Sequence, residues 1–163
     1  MIPLIFVFGV TVMTIPVDNI HGLTYPEMAL RICIDRISAH QISGRVVGRR
    51  LSAPIVFSDL GTLVLQLDSM FDIQHTPPTY QRARSFADQD ASAPACPASL
   101  ERKMSTAEVD AACGEAATFL LYILSRHSST WQGKVDWLDG TEDIFQSALE
   151  LLNLVIRRMG QPR

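Results

Sequence analysis

The chain carries one pattern twice, and that repetition limits its architecture more than any single motif does. Placing Leu30-Arg31-Ile32-Cys33-Ile34 over Phe119-Leu120-Leu121-Tyr122-Ile123 also lays Ile42-Ser43-Gly44-Arg45-Val46 over Trp131-Gln132-Gly133-Lys134-Val135 without a gap. After a one-residue deletion in the second copy, Phe57 falls on Phe145, and Leu60, Leu63, Val64 and Leu67 fall on Ala148, Leu151, Leu152 and Val155. Those last positions have the i, i+3, i+4, i+7 spacing of a helix with one apolar stripe. Each copy therefore predicts strand, strand, short strand, helix.

Local chemistry supports that order. In the first copy, Leu30, Ile32 and Ile34 alternate with Arg31, Cys33 and Asp35, the period of a half-buried strand. Ser38 to Gln41 is a polar turn, and Ile42 to Arg50 returns as the second strand. Leu51 to Pro54 turns again, because Pro cannot donate to a central ladder. Ile55 to Phe57 is the third strand, and Ser58 or Asp59 caps a helix reaching about Asp72. In the second copy the strands are Phe119–Leu124, Thr130–Leu138 and Ile144-Phe145, with a tight turn at Asp139-Gly140. Gln146 or Ser147 opens a helix that ends at Gly160, and Arg157 and Arg158 in its last turn suit the helix dipole.

One such unit leaves a large apolar face uncovered. The expected fold is thus α+β: two β-β-β-α repeats with pseudo-two-fold character, forming antiparallel sheet, either as two layers or as one continuous sheet. The first repeat spans 28–72 and the second 118–160. Between them, 73–117 is a linker rich in Pro, Ala and Ser, with flexible composition from Ala87 to Ser99. Within it, Thr106 to Ala117 suits a short helix. Thr76 to Phe86, which holds Tyr80, Arg82, Arg84 and Phe86, is an extended basic segment or an arm lying on the first repeat.

Residues 1–27 form a separate apolar segment, and 1–17 carry no charge. A bilayer span needs about 20 apolar residues. A signal peptide needs a basic start, whereas the first Lys or Arg here is Arg31. Pro3 and Pro16 bracket a run of Ile, Phe and Val that suits a buried strand. A true start at Met13 or Met28 and an export or membrane-contact segment stay open. A cytoplasmic protein is expected, without membrane attachment.

With 163 residues the chain can bury one substantial core, and 47% hydrophobic content excludes a fully disordered chain. A net charge of −3 makes no global case for nucleic acid, and three widely spaced Cys imply no disulfide framework. Nucleophilic catalysis needs a nucleophile, a base and an orienting group. Cys33 suits packing in a strand, Cys96 lies in the linker, and Cys113 has no His near it in sequence. His21, His40, His75 and His127 lack metal-ligand spacing, and no C-x-x-C exists. Asp136, Asp139, Glu142 and Asp143 crowd one hairpin but fail the spacing of a calcium loop, so a solvated acidic turn is expected. The reading favours a non-enzymatic protein, with an enzyme of unknown class left open, and expects no metal and no cofactor.

Two groups remain as contact candidates. Arg45, Arg49 and Arg50 lie on or just past the second strand. Arg45 to Arg49 fits the R-x-x-x-R half of the cyclic-di-GMP motif of PilZ domains, while the D/N-x-S/A-x-x-G half is missing. With Arg82 and Arg84 these residues form a candidate site for an anionic ligand, nucleotide or nucleic acid. Trp131 and Trp137 are six apart on one strand and share a face. With Gln132, Lys134 and Asp136 on the solvated face, the tryptophans point into the core; facing outward, they would form an aromatic contact surface.

The stretch Trp131 to Leu152, WQGKVDWLDG followed by FQSALELL, resembles uncharacterised small bacterial proteins. They share a W-x-G-x-V strand, an acidic Gly turn and an F-x-S-x-x-E-L helix. Phe57 through Phe86 resembles longer members that carry both copies. The resemblance covers most of 28–160, leaves out the first seventeen residues, and implies a bacterial origin but no activity. The expected function is a binding or regulatory module acting through a protein partner or self-association, with the anion site as the alternative.

Overall fold

The structure, a computed structural model, describes residues 5–8, 11–14, 28–38, 41–75, 103–127 and 130–160. Two short strands, β1 (Ile5–Phe8) and β2 (Thr11–Thr14), pair antiparallel as a sheet of their own. The sequence reads this region as a single strand; two strands form instead, with Gly9 falling between them. The main sheet contains β3 (Leu30–Ser38), β4 (Gln41–Gly48), β5 (Ile55–Phe57), β6 (Ala117–His127), β7 (Thr130–Asp136) and β8 (Glu142–Phe145). Its order is β5-β4-β3-β6-β7-β8, and every neighbouring pair is antiparallel. Among the described residues three helices accompany the sheets: α1 (Leu60–Gln74), α2 (Thr106–Ala111) and α3 (Ala148–Met159). The architecture is α+β on one continuous six-stranded sheet, which resolves the choice between one sheet and two.

One face of the sheet carries the principal core. Ile32 and Ile34 from β3, Phe119 and Leu121 from β6, Val46 from β4 and Val135 from β7 pack with Leu63 and Leu67 of α1 and Leu151 and Val155 of α3. Phe57 and Phe145, from the two edge strands, close its ends and are almost fully buried. The alternation in the strands dictates this face, and the helical spacing at 63/67 and 151/155 dictates what covers it. Each long helix starts on a side-chain cap. Asp59 accepts from the Thr62 N–H at 2.8 Å, and Ser147 accepts from the Glu150 N–H at 3.1 Å.

The opposite face is where the structure departs from the sequence reading. Residues 103–117, expected as part of a linker, are built into the fold. The helix in this segment stops at Ala111, and the chain then runs along β3, where the Ala116 N–H donates to the Ile34 carbonyl at 2.9 Å. Ser105 and Glu108 form a reciprocal cap at the start of α2. Val109 packs on Cys33 and Val47, making a second small core on this face. Cys33 is therefore covered on a face that the alternation pattern assigns to solvent.

The two long hairpins explain the glycines in the repeated motif. The register shifts by one residue at Asp35, where Ile34 pairs with Gly44 and Arg36 with Ser43. A matching shift occurs at Leu124, where Ile123 pairs with Gly133 and Ser125 with Gln132. Such a shift bends the bulged strand and increases its twist locally. A Cβ at Gly44 would collide with the Cys33 carbonyl, and one at Gly133 with the Tyr122 carbonyl, while the Phe145 ring lies over the space Gly133 leaves. Gly133→Ala should lower the unfolding free energy by about 1–3 kcal/mol, as overpacking does, with Gly44→Ala in the same range. Urea denaturation measures it; wild-type stability in both variants would contradict the close-approach account.

Candidate interaction edge

The arginines singled out by sequence have varied surroundings. Arg45 donates from Nη2 to the Cys113 carbonyl at 2.9 Å and lies 3.9 Å from an Asp35 carboxylate oxygen. Arg31 donates from Nε to the Ala112 carbonyl at 2.6 Å. Both hold the segment leaving α2 down on the sheet, supplying donors to carbonyls that a helix end leaves over. Arg49 and Arg50 follow β4 in a turn and are partly exposed. The Arg50 carbonyl accepts from Gln74 Nε2 at 2.9 Å, tying this turn to the end of α1. Arg82 and Arg84 lie outside the described residues.

Trp131 and Trp137 are in the core, 2% and 7% exposed. Phe71 meets Trp131 edge-on at 5.8 Å between ring centres, and Phe119 packs on Trp137 at 5.1 Å. As an outward aromatic surface the pair is therefore corrected: neither ring is presented to a partner. The solvated reading of Lys134 is corrected too. Its side chain is buried, with Nζ 5.1 Å from the Tyr122 ring centre and 2.8 Å from a Glu142 carboxylate oxygen.

A charge cluster missed in the sequence joins β6 to α1. Arg126 is 2% exposed and donates to Asp68 Oδ1 at 2.7 Å, to the Asp68 carbonyl at 3.1 Å and to Asp72 Oδ1 at 2.5 Å. Its guanidinium carbon lies 5.7 Å from the centre of the Phe71 ring. The carboxylates are themselves about half exposed, so burial falls on the cation alone. The i, i+4 spacing of Asp68 and Asp72 was the available signal, but nothing local pointed to Arg126 as its partner.

The remaining chemistry is dispersed. Cys33 is buried, and burial pushes its thiol up, with the nearby Arg45 opposing that shift. Cys113 is exposed. His75 caps α1 in the left-handed region at φ 50°, His127 ends β6, and Cys96, His21 and His40 lie outside the described residues. Among the described residues no group of three or more His, Cys, Asp or Glu is placed to hold a metal ion, and no helix is long and apolar enough to cross a membrane. A groove of about 640 Å³ runs between the β3–β4 hairpin, the start of α1 and the end of α3, lined by apolar Ile37, Ile42, Leu60, Ile156 and Met159.

The acidic hairpin is largely self-satisfied. Asp139 accepts from the Thr141 hydroxyl and N–H and pairs with Arg158, Asp143 accepts from Trp137 Nε1 at 2.7 Å, and Asp136 accepts from the Leu138 N–H at 2.9 Å. Leu138 at φ 61° and Gly140 at φ 88° form the left-handed positions of the loop. The Thr141 hydroxyl and N–H hold the Asp139 carboxyl below its ordinary value of 3.8, with a further lowering by Arg158. Asp59 is held down in the same way by Thr62 and Ser58.

The two ends of the sheet differ in their exposed backbone. On β5 the outward Val56 carbonyl accepts from Gln66 Nε2 of α1 at 3.0 Å. On β8 the Trp137 N–H donates to the Thr141 carbonyl at 3.0 Å, which marks the 137/141 pair as hydrogen-bonded. Bonded and non-bonded pairs alternate in an antiparallel ladder. Glu142 and Ile144, opposite Asp136 and Lys134, consequently turn their N–H and C=O groups away from β7. Among the described residues nothing pairs with those outward groups. Ile144 is 48% exposed.

No protein-family model matches the chain, and no curated protein sequence or solved structure matches it.

Removing both Asp68 and Asp72 by Ala substitution leaves a buried guanidinium with no carboxylate partner, only the residue-68 carbonyl, and should cost about 3–5 kcal/mol. Arg126→Met leaves only exposed carboxylates and should cost less; the opposite ranking in denaturant unfolding would refute the assignment. The depressed Asp59 and Asp139 carboxyls stabilise the fold fully above their ordinary value, and that contribution is lost as pH falls through their lower folded values. Thermal unfolding followed from about pH 5 to pH 2 should therefore show a smaller acid loss in Asp59→Ala and Asp139→Ala than in the wild type.

Proposed function

We propose that this chain is a non-enzymatic protein-binding module, built from a duplicated β-β-β-α unit, that recruits its partner through the open edge of β8. Several correspondences support the duplication. Gly44 faces Phe57 as Gly133 faces Phe145, and the shifts at Asp35 and Leu124 fall at equivalent points. In the central pairing, Leu30 opposite Leu121 is exchanged by the pseudo-two-fold with Phe119 opposite Ile32. The caps Asp59 and Ser147 also correspond.

The observation that carries the functional reading is a difference between the copies. Val56 corresponds to Ile144, and Gln66 corresponds to Leu154. Gln66 occupies the Val56 carbonyl, whereas Leu154 has no amide to offer, and among the described residues nothing bonds the outward backbone at Ile144. An unpaired strand edge is a template for an added strand. The anionic-ligand reading has less behind it, because Arg45 is engaged with the Cys113 carbonyl.

Ile144→Pro tests this. Its missing N–H faces away from β7, so the sheet keeps its own bonds and the fold should be retained. The tagged protein should capture a stoichiometric protein from a lysate of its host, and Ile144→Pro, with an unchanged circular-dichroism spectrum, should lose it. Equal capture by both would overturn the reading.

A further inference from the structure

We infer that the β8 edge selects a basic extended segment of a partner protein, with an apolar residue two positions before an Arg or Lys. This inference rests on the edge-binding reading above and adds the chemistry of the partner. Residues 136–150 hold five acids (Asp136, Asp139, Glu142, Asp143, Glu150) and neither Lys nor Arg. Lys134 and Arg158 approach this stretch as Glu142 and Asp139 partners, which still leaves it acidic.

The register follows from the strand. Glu142 and Ile144 present the outward backbone groups and, being two apart, project their side chains on the same face. An antiparallel added strand would place one residue beside Ile144 and, two positions later, one beside Glu142. Beside the exposed Ile144 an apolar residue buries surface. Beside Glu142, half exposed and in an acidic stretch, a base is favoured and an acid is repelled. The pattern read by this edge is therefore apolar-x-basic. A second copy fits less well, because pairing β8 with itself would bring the acidic stretches of two chains together.

The test uses the full chain and two labelled peptides of strand-forming Thr residues around a Val-x-Arg or a Val-x-Glu core, followed by fluorescence anisotropy. The Arg peptide should bind at least about tenfold more tightly than the Glu peptide, with the advantage shrinking at high salt. Ile144→Pro should abolish binding, and Glu142→Gln, whose amide oxygen can still accept from Lys134 Nζ, should narrow the preference, with its circular-dichroism spectrum compared with the wild type's. Equal binding of both peptides, lost in Ile144→Pro, would overturn the charge selectivity but leave edge binding standing. Binding unaffected by Ile144→Pro, or no binding of either peptide, would overturn the inference as a whole. So would a concentration-dependent dimer in sedimentation velocity that Ile144→Pro abolishes and the Arg peptide does not displace, since the occupant would then be a second copy.

Discussion

The pairing of β3 with β6 is the interaction on which the rest of the molecule depends. It sets Leu30 against Leu121 and Ile32 against Phe119, so the apolar rows of the two hairpin systems become one surface. A three-stranded sheet with a single helix buries a smaller fraction of its surface than the joined sheet does. Joined at β3–β6, the strands present one continuous face on which α1 and α3 lie side by side, and Phe57 and Phe145 reach inward from the far ends to finish it. The same junction decides where edges remain. With β3 and β6 central, β5 and β8 are the end strands of the sheet among the described residues.

Covering one face does not finish a sheet, and the two halves treat the second face differently. Over β3 and β4, the 103–116 segment seats Val109 on Cys33 and Val47, held by Arg31 and Arg45 through the Ala112 and Cys113 carbonyls. Basic side chains on an exposed strand face invite an anion-binding reading. Here the oxygen atoms they meet belong to the chain itself. On β7 the solution is a single long side chain. Lys134 lays its aliphatic stem on the sheet, brings its ammonium to the Tyr122 ring and pairs with Glu142, so a nominally polar position is buried without an unmatched charge.

The parts of this fold that were legible in sequence are those written in short-range periodicity. Alternation at Leu30–Ile34 and helical spacing at Leu63–Leu67 and Leu151–Val155 depend on geometry within one element, and Gly133 with Phe145 marks a contact between adjacent strands. Strand ends were less legible: β6 runs from Ala117 to His127, beyond the apolar run, because its polar tail is paired with β7 up to Thr130. Least legible were contacts across long separations. Nothing around Cys33 announces that Val109 will cover it, and nothing around Arg126 announces Asp68 and Asp72. The candidate edge was half legible. The acidic hairpin stood out as a charge cluster, but its meaning depends on which strand ends the sheet. It depends also on whether the neighbouring helix offers an amide to the outward carbonyl, as Gln66 does at Val56, and both relations are set only by three-dimensional packing.

The duplication proposed above would create two edges of the same kind, each to be blunted or used. On β5 the blunting is visible in the short strand, the preceding Pro54 and the Gln66 amide on the Val56 carbonyl. On β8, in the proposed correspondence, Leu154 stands where Gln66 would, and charge is the remaining protection. Acids on an edge resist pairing with a like edge, so β8 can stay open without promoting indiscriminate self-association. Charge, however, resists selectively. What repels a second acidic strand attracts a basic one, whereas an amide on the carbonyl excludes both. On the proposed reading, the substitution of charge for a hydrogen-bonded cap would turn a liability common to both halves into a discriminating surface on one of them, without altering the core that the two halves share.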